Sequence, residues 1–365
     1  MSRINPLAIL VLALLTFALG SYYISSAKAP ESSSLYGGLV QASESLAQIT
    51  PQYTLSFPFD HRAHPEFAVE WWYFTSNLRS NSTPVQRYSV QFTLFRFNRG
   101  QLTQSPWSDG QLYMAHASIH TPEEHYFSER FASGGLKYAG VSTDPLVIQL
   151  EDWSWRSTTE QLLPARLHMP LKGVDLMLSL NAAGPIVLHG ERGYSRKSAS
   201  GSHASMYYSQ PFIEVLGNLT TATSEVSLVG HGWFDHEWTS QVLNEQTQGW
   251  DWFSLHLDSG EKLMAFRMRI NNQADHVTGT LIAANGKTRS LSPNELSLTP
   301  QNYAQHEQRK FPAHWRIEVP SHGVDVELVP IKTDQWNLGR FPYYEGAVSV
   351  TGSHSGKGFM ELTGY

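Results

Sequence analysis

The chain has 365 residues, with 32 acidic and 26 basic side chains and a net charge of −6 at pH 7. A chain of this length is expected to fold as two domains. The lack of a basic excess argues against a nucleic-acid partner and against attraction to an anionic membrane surface. The sequence contains no cysteine, which excludes disulfides, thiolate zinc sites, thiol nucleophiles and a lipidated N-terminal cysteine.

The first residues predict a targeting segment. Arg3 precedes an apolar run over residues 6–19, which is shorter than the about 20 residues of a comfortable membrane span. Residues 1–29 are therefore a predicted signal peptide or, because residues 22–24 prolong the apolar run, an uncleaved anchor. Either alternative predicts export, to the periplasm or to the inner membrane, with membrane contact only through this segment. Residues 30–50 are rich in Ser and Ala and are predicted to form a linker.

From residue 53 onward the pattern predicts strands. Residues 88–97 alternate polar and apolar side chains, as a half-buried strand does. Hairpin-turn residues such as Asp258-Ser259-Gly260 and Asn285-Gly286 separate further segments of this kind, and the best helical candidate is 292–304. Many short strands joined by turns predict an all-β sandwich or barrel. The other predicted strands are 112–120, 174–180, 225–233, 252–257, 262–270, 315–319 and 324–329.

A faint internal repeat indicates two similar halves. Trp72 begins a hairpin that ends at Arg96, and Trp252 begins one that ends at Arg267. This favours duplication of one β-barrel, with convergent strand composition as the alternative. The predicted domains are 51–241 and 242–365, because a Gln- and Asn-rich stretch around 240–248 precedes the second hairpin.

Two segments place acidic side chains among large aromatic ones. Carboxyl groups beside such rings are partly desolvated, which raises their pKa. We therefore expect the two segments to build one pocket, with Glu70, Trp72, Asp235, Glu237, Trp250 and Trp252 close together. The first segment contains Glu70, Trp71, Trp72 and Tyr73, and the second contains Asp235, His236, Glu237 and Trp238, followed by Trp250, Asp251 and Trp252.

The candidate catalytic residues are Asp235, Glu237 and His236. On a strand, Asp235 and Glu237 face one side, and His236 and Trp238 face the other. A carboxyl kept protonated by its surroundings would be able to donate a proton to an alkene. The alternative is a structural network, in which Arg192 or Arg196 lowers the pKa of Asp235; the dense polar surroundings favour this second interpretation.

Metal and nucleophile signals are weak. His116, His120, His231 and His236 do not form a His-Glu-x-x-His motif, and there is no Gly-x-Ser-x-Gly motif. No metal and no cofactor are therefore expected.

Several motifs resemble the AttH/CrtC lipocalin-like family, a likeness that runs from about residue 61 to the last residue. The resemblance implies two lipocalin-like β-barrel domains in tandem. In that family the carotenoid 1,2-hydratase branch adds water to a carbon–carbon double bond of a long isoprenoid, and many members carry the label of predicted secreted hydrolases. The motifs are His64-Pro65-Glu66-Phe67, Glu70-Trp71-Trp72-Tyr73, the segment 190–197, Tyr207-Tyr208-Ser209, Asp235-His236-Glu237-Trp238, Gly249-Trp250-Asp251-Trp252-Phe253, Tyr344-Glu345-Gly346 and the segment 358–365.

These observations predict a cell-envelope protein that binds a hydrophobic or amphipathic small molecule, such as a lipid or an isoprenoid, in an aromatic and acidic cleft. It would act as a carrier, with an envelope transport system as a further partner. The alternative is a cofactor-independent hydratase or isomerase that uses a carboxyl general acid, and a hydrolase has weaker support. Whether the protein is an enzyme stays open. The expected ligand-binding residues are Glu70, Trp71, Trp72, Tyr73, Tyr207, Tyr208, Trp238, Trp250, Asp251 and Trp252.

Overall fold

The computed structural model describes residue 39 and residues 46–100, 109–198, 203–240 and 247–365. The predicted signal or anchor segment and most of the predicted linker lie outside these ranges, as does most of the stretch predicted to separate the domains. Within the described ranges no helix is long and apolar enough to cross a membrane.

The N-terminal half forms one curled antiparallel sheet. Numbered along the chain, its strands are β1 (Val69–Ser80), β2 (Arg87–Asn98), β3 (Gln111–His120), β4 (His125–Ser133), β5 (Ala139–Thr143), β6 (Leu146–Leu150), β7 (Trp153–Ser157), β8 (Ala165–Leu171), β9 (Val174–Ala182), β10 (Val187–Leu188), β11 (Tyr194–Arg196), β12 (Ala204–Thr221) and β13 (Glu225–Thr239). Their spatial order is β4-β3-β2-β1-β13-β12-β9-β8-β7-β6-β5, with β10 and β11 paired to β12. Strand β4 packs against β6 and β8, so the sheet closes to a near-barrel.

The C-terminal half repeats this design with fewer strands. Its strands are β14 (Thr247–Leu257), β15 (Lys262–Ile270), β16 (His276–Ile282), β17 (Thr288–Leu291), β18 (Ser297–His306), β19 (Arg309–Val319), β20 (Val324–Pro330), β21 (Trp336–Asn337), β22 (Tyr343–Gly352) and β23 (Gly356–Thr363). Their spatial order is β17-β16-β15-β14-β23-β22-β20-β19-β18, with β21 paired to β22. The expected all-β fold of two lipocalin-like barrels is therefore confirmed.

Each sheet encloses its own apolar core. Trp153 and Trp155 are fully buried in the first core, and Trp315 is fully buried in the second. A third cluster joins the two barrels, where Trp233 packs with Trp252. Burying a large apolar side chain contributes about 1.5–3 kcal/mol, so this third cluster fixes the interface that carries the candidate site.

The predicted strands correspond to observed ones, but the helical candidate at 292–304 is wrong. Most of it belongs to β18, which pairs along its length with β19. Pro300 lies in the middle of the segment, where a helix would lose a hydrogen bond and meet a steric clash. Sheet pairing therefore overrides the weak local periodicity.

The two barrels also show how the internal repeat is aligned. Trp71 pairs with Phe95 across β1 and β2, and Trp252 pairs with Phe266 across β14 and β15. All four side chains reach the interface between the barrels. The equivalent of Trp252 is thus Trp71 and not Trp72, because a shift of one residue turns a strand side chain to the opposite face.

Candidate functional site

A cavity of about 120 Å³ lies between the two barrels. Aromatic rings and carboxyl groups from both barrels line it, so the two aromatic and acidic segments do meet at one site. Of the sequence-predicted residues, those that line the cavity are Trp71, Tyr73, Tyr207, Asp235, Glu237, Trp250 and Trp252.

Strand alternation explains this selection. Trp71 lies opposite Glu237 in the β1–β13 pair, and Tyr73 lies opposite Asp235. Successive side chains of a strand point to opposite faces, so these four side chains share the face that meets the C-terminal barrel. Trp250 and Trp252 reach the same cavity from β14.

The other predicted site residues do not line this cavity, and the expectation that all of them share one pocket is wrong. Trp72 and Trp238 lie in the core of the N-terminal barrel. Asp251 contacts Tyr365, Arg267 and Arg269 on the opposite face of β14. On their strands, the residues outside the cavity alternate with those that line it, so their side chains point to the opposite face of the sheet. The residues placed away from the cavity are Glu70, Trp72, Tyr208, His236, Trp238 and Asp251.

Asp235 is the most unusual group at the site. It accepts hydrogen bonds from Tyr207 Oη at 2.7 Å, from Trp233 Nε1 at 2.6 Å and from Ser209 Oγ. Burial raises the pKa of Asp235 to about 7, although these three donors oppose the shift. No described cation contacts its carboxyl group, so the expectation that an arginine pairs with Asp235 and lowers its pKa is wrong.

The basic segment 190–197, which contains Arg192, Arg196 and Lys197, does pair with the cleft, through Lys197. Lys197 Nζ lies 2.7 Å from Glu237 Oε1. It also lies 4.8 Å from the ring centre of Tyr207 and 4.7 Å from that of Phe266. The aromatic walls of the cavity therefore already surround one positive charge, as rings do in cation–π contacts.

Two further carboxyl groups come from the C-terminal barrel and were missed by the sequence argument. Glu361 lines the cavity and accepts a hydrogen bond from Trp250 Nε1 at 2.8 Å. Burial raises the pKa of Glu361 to about 7, and the charges of Asp235 and Glu237 act in the same direction. Glu345 accepts a bond from Tyr73 Oη at 2.7 Å, and burial raises its pKa well above the ordinary value.

A signal for Glu361 does exist in the repeat. Trp252 lies opposite Glu361 in the β14–β23 pair, just as Trp71 lies opposite Glu237 in the β1–β13 pair. An alignment of the repeat that matches Trp71 with Trp252 places the counterpart of Glu237 on the C-terminal strand β23, where Glu361 lies.

A second polar cluster is centred on Glu70 inside the N-terminal barrel. Glu70 Oε2 accepts a bond from Arg96 Nε at 2.8 Å, and Oε1 accepts bonds from His64 Nδ1 at 2.6 Å and His236 Nε2 at 2.8 Å. Burial opposes ionisation here, but the charges of His64 and Arg96 and the hydrogen bonds hold the pKa of Glu70 well below its usual range. Burial lowers the pKa of His236 to about 4.

This cluster has the ingredients of a metal site but the geometry of a hydrogen-bond network. Possible ligand atoms of His64, Glu70 and His236 lie within 4.8 Å of one another. The two imidazole nitrogens that face Glu70 are bonded to the same carboxylate oxygen, and the other nitrogen of His64 lies 3.1 Å from Asp60 Oδ1. The atoms that would bind a cation are thus within hydrogen-bond distance of one another, which favours a structural role for the cluster.

The raised pKa of Asp235 predicts a pH dependence of stability. The folded state keeps this proton up to pH about 7, whereas the unfolded chain loses it near pH 4. Between these values the folded state binds more protons, so stability falls as pH rises, by about 1.4 kcal/mol per pH unit from this group. Asp235→Asn should remove this slope.

Urea unfolding at a series of pH values measures the effect as the difference between Asp235→Asn and the parent chain. The free energy of unfolding of the variant should rise relative to that of the parent chain between pH 4 and pH 7. Above pH 7 this difference should stay constant. Asp144→Asn, at an exposed site, is the control and should show no such trend. A pH-independent difference for Asp235→Asn would contradict the assigned shift.

Comparison with known proteins gives consistent results. The model of the AttH-like family matches residues 48–365. A solved structure assigned as an AttH protein of Nitrosomonas europaea is 30% identical, with a TM-score of 0.77, and the match covers 88% of this chain and 99% of that one. Kievitone hydratase from Nectria haematococca is 17% identical with a TM-score of 0.65, over 89% of this chain and 98% of that one, and shares the fold. The comparison with curated protein sequences gives no match.

Proposed function

Because this chain belongs to the AttH-like family, we propose that the cavity between its barrels binds an apolar, unsaturated small molecule and that the protein adds water to a carbon–carbon double bond of that ligand. Asp235 is the proton donor. The aromatic side chains hold the ligand and shield it from bulk water.

The observation that carries this proposal is the environment of Asp235. Among the described residues, its carboxyl group accepts hydrogen bonds only from neutral donors. Burial raises its pKa to about 7. A carboxylic acid that keeps its proton near neutral pH is suited to general acid catalysis.

The chemistry follows in two steps. The proton of Asp235 goes to one alkene carbon, and the π electrons form the new C–H bond, which leaves a positive charge on the adjacent carbon. The faces of the surrounding rings stabilise this charge, as they do that of Lys197. A water oxygen then bonds to the cationic carbon and loses a proton, which replaces the one that Asp235 gave, so that the net change is the addition of one water molecule.

Binding without chemistry is the second candidate function. The aromatic lining from both barrels supports it, because such walls suit an apolar ligand at a domain interface. A carrier role in the cell envelope belongs to this candidate, and its support is the apolar segment at residues 6–19.

Native mass spectrometry of the protein purified from its own host tests the binding step. A co-purifying polyene or other unsaturated lipid is the expected result. Incubation of that ligand with the protein in H₂¹⁸O then tests the chemistry, since hydration adds one labelled water molecule to the ligand. A ligand that is bound but never labelled would favour the carrier, and a protein that binds no apolar ligand would contradict both candidates.

A further inference from the structure

We infer that Glu361 is a second catalytic carboxyl group, which takes a proton from the attacking water and shares a single proton with Asp235 across the interface between the barrels. This inference rests on the proposed function and extends it, because it assigns the base that hydration needs. It also makes the C-terminal barrel part of the chemistry.

The backbone register supports this assignment. In each barrel a cavity tryptophan lies opposite a glutamate on the neighbouring strand: Trp71 opposite Glu237, and Trp252 opposite Glu361. The two barrels meet through these strands, since β1 packs against β23. The same pair of residue types is thus presented to the cavity from both sides, and Glu361 is the carboxyl that the C-terminal barrel contributes to its lining.

The contacts of the three glutamates distinguish their roles. Glu237 is held by the ammonium group of Lys197 at 2.7 Å, and a carboxylate neutralised in this way is a weaker base. Glu345 is fully buried behind Tyr73 and does not line the cavity. Glu361 keeps part of its surface accessible and has one described hydrogen-bond donor, Trp250 Nε1. It is therefore the carboxyl that is free to accept a proton from water in the cavity.

Electrostatics makes Asp235 and Glu361 a coupled pair. Burial raises the pKa of each to about 7, and the charge of Asp235 raises that of Glu361 further. Two such groups that share a site lose their protons in two separate steps, so over the range between them the pair holds one proton. One member is then an acid and the other a base, which is the state that hydration requires.

The cycle balances. Asp235 gives its proton to carbon and becomes a carboxylate, while the water oxygen bonds to the cationic carbon and its proton goes to Glu361. The proton on Glu361 then passes to Asp235 through water in the cavity, and the starting state returns. One water molecule is consumed and no other reagent is needed.

Carbon-13 NMR titration of the protein labelled at glutamate side-chain carboxyls tests the pairing without any ligand. The resonance that disappears in Glu361→Gln should titrate near neutral pH. In Asp235→Asn the same resonance should titrate about one pH unit lower, because the neighbouring charge is gone. Glu160→Gln, at an exposed site, is the control and should leave it unchanged. A Glu361 resonance that titrates in the ordinary glutamate range, or that ignores Asp235→Asn, would overturn the inference.

Turnover separates this inference from the proposed function. With a ligand that the parent chain hydrates, Glu361→Gln should lower kcat by about a hundredfold or more and leave Kd within about twofold. If Asp235→Asn abolishes hydration and Glu361→Gln does not change it, the proposed function stands and the role of Glu361 is refuted. Because the titration in Asp235→Asn reads Glu361 in a folded chain, a Glu361→Gln variant that fails to fold does not remove the test.

Discussion

Asp235→Asn is expected to lower the turnover of a hydrated ligand by about a hundredfold to ten-thousandfold, the usual loss when a general acid is removed. An asparagine has the shape of the protonated carboxyl group: its one amide oxygen can accept the bond from Trp233 Nε1, and its NH₂ group then takes the place of the oxygen that Tyr207 contacts, where it can donate to the tyrosine oxygen. It has no proton to give to carbon. Ligand affinity and the folded state should therefore persist, and the loss should appear in kcat.

The pH profile of the parent chain gives an independent measurement. Since the pKa of Asp235 is raised to about 7 by burial, kcat should fall as pH rises above that value, where the acid loses its proton. Asp144→Asn, at an exposed position, should keep both the rate and the profile. Full turnover by Asp235→Asn would refute Asp235 as the proton donor. An affinity lost together with turnover would instead favour a role in holding the ligand.

The sequence predicted the fold better than the site. A period of two residues, punctuated by hairpin turns, was enough to place strands such as 262–270 with their observed ends. The same period correctly put Asp235 and Glu237 on one face and His236 on the other. Local alternation is a short-range property, and short-range patterns are what a single sequence records.

The choice of face could not be read from the sequence. Both faces of β1 are buried, one in the core of its own barrel around Trp72 and the other at the interface around Tyr73. A strand that is apolar on both faces shows no polar side from which to orient it. This is why Glu70 and Trp72 were expected in the cavity and lie behind it.

Lys197 and Glu361 illustrate the long-range part of the problem. Lys197, which directly follows β11, contacts Glu237 on β13 of the same barrel, and Glu361 lies on β23 of the other barrel. Such neighbours depend on register between distant strands. The pKa of Asp235 is also a property of the folded chain, because burial raises it while the hydrogen bonds from Ser209, Tyr207 and Trp233 oppose the shift, and no described arginine contacts the carboxyl group.

The polar cluster inside the N-terminal barrel leads to the largest stability effect that we expect. Arg96→Met should destabilise the fold by about 3–5 kcal/mol, because it leaves a buried carboxylate without its guanidinium partner. The side chains of Arg96 and Glu70 are both fully buried, and Arg96 also donates to Gln111 Oε1 at 2.6 Å and to the carbonyl oxygens of His64 and Phe67. Methionine fills much of the volume and supplies none of these donors.

Urea unfolding compares this variant with Arg316→Met, which breaks an exposed pair with Asp325. The exposed pair should contribute far less to stability, because solvent screens it. The double variant Glu70→Gln with Arg96→Met should recover part of the loss, since it removes the uncompensated charge as well as its partner. If Arg96→Met were no more destabilising than Arg316→Met, the cluster would not be structural. Glu70, His64 and His236 would then have to be reconsidered as a functional site, because a buried charged group that does not stabilise the fold needs another reason to be there.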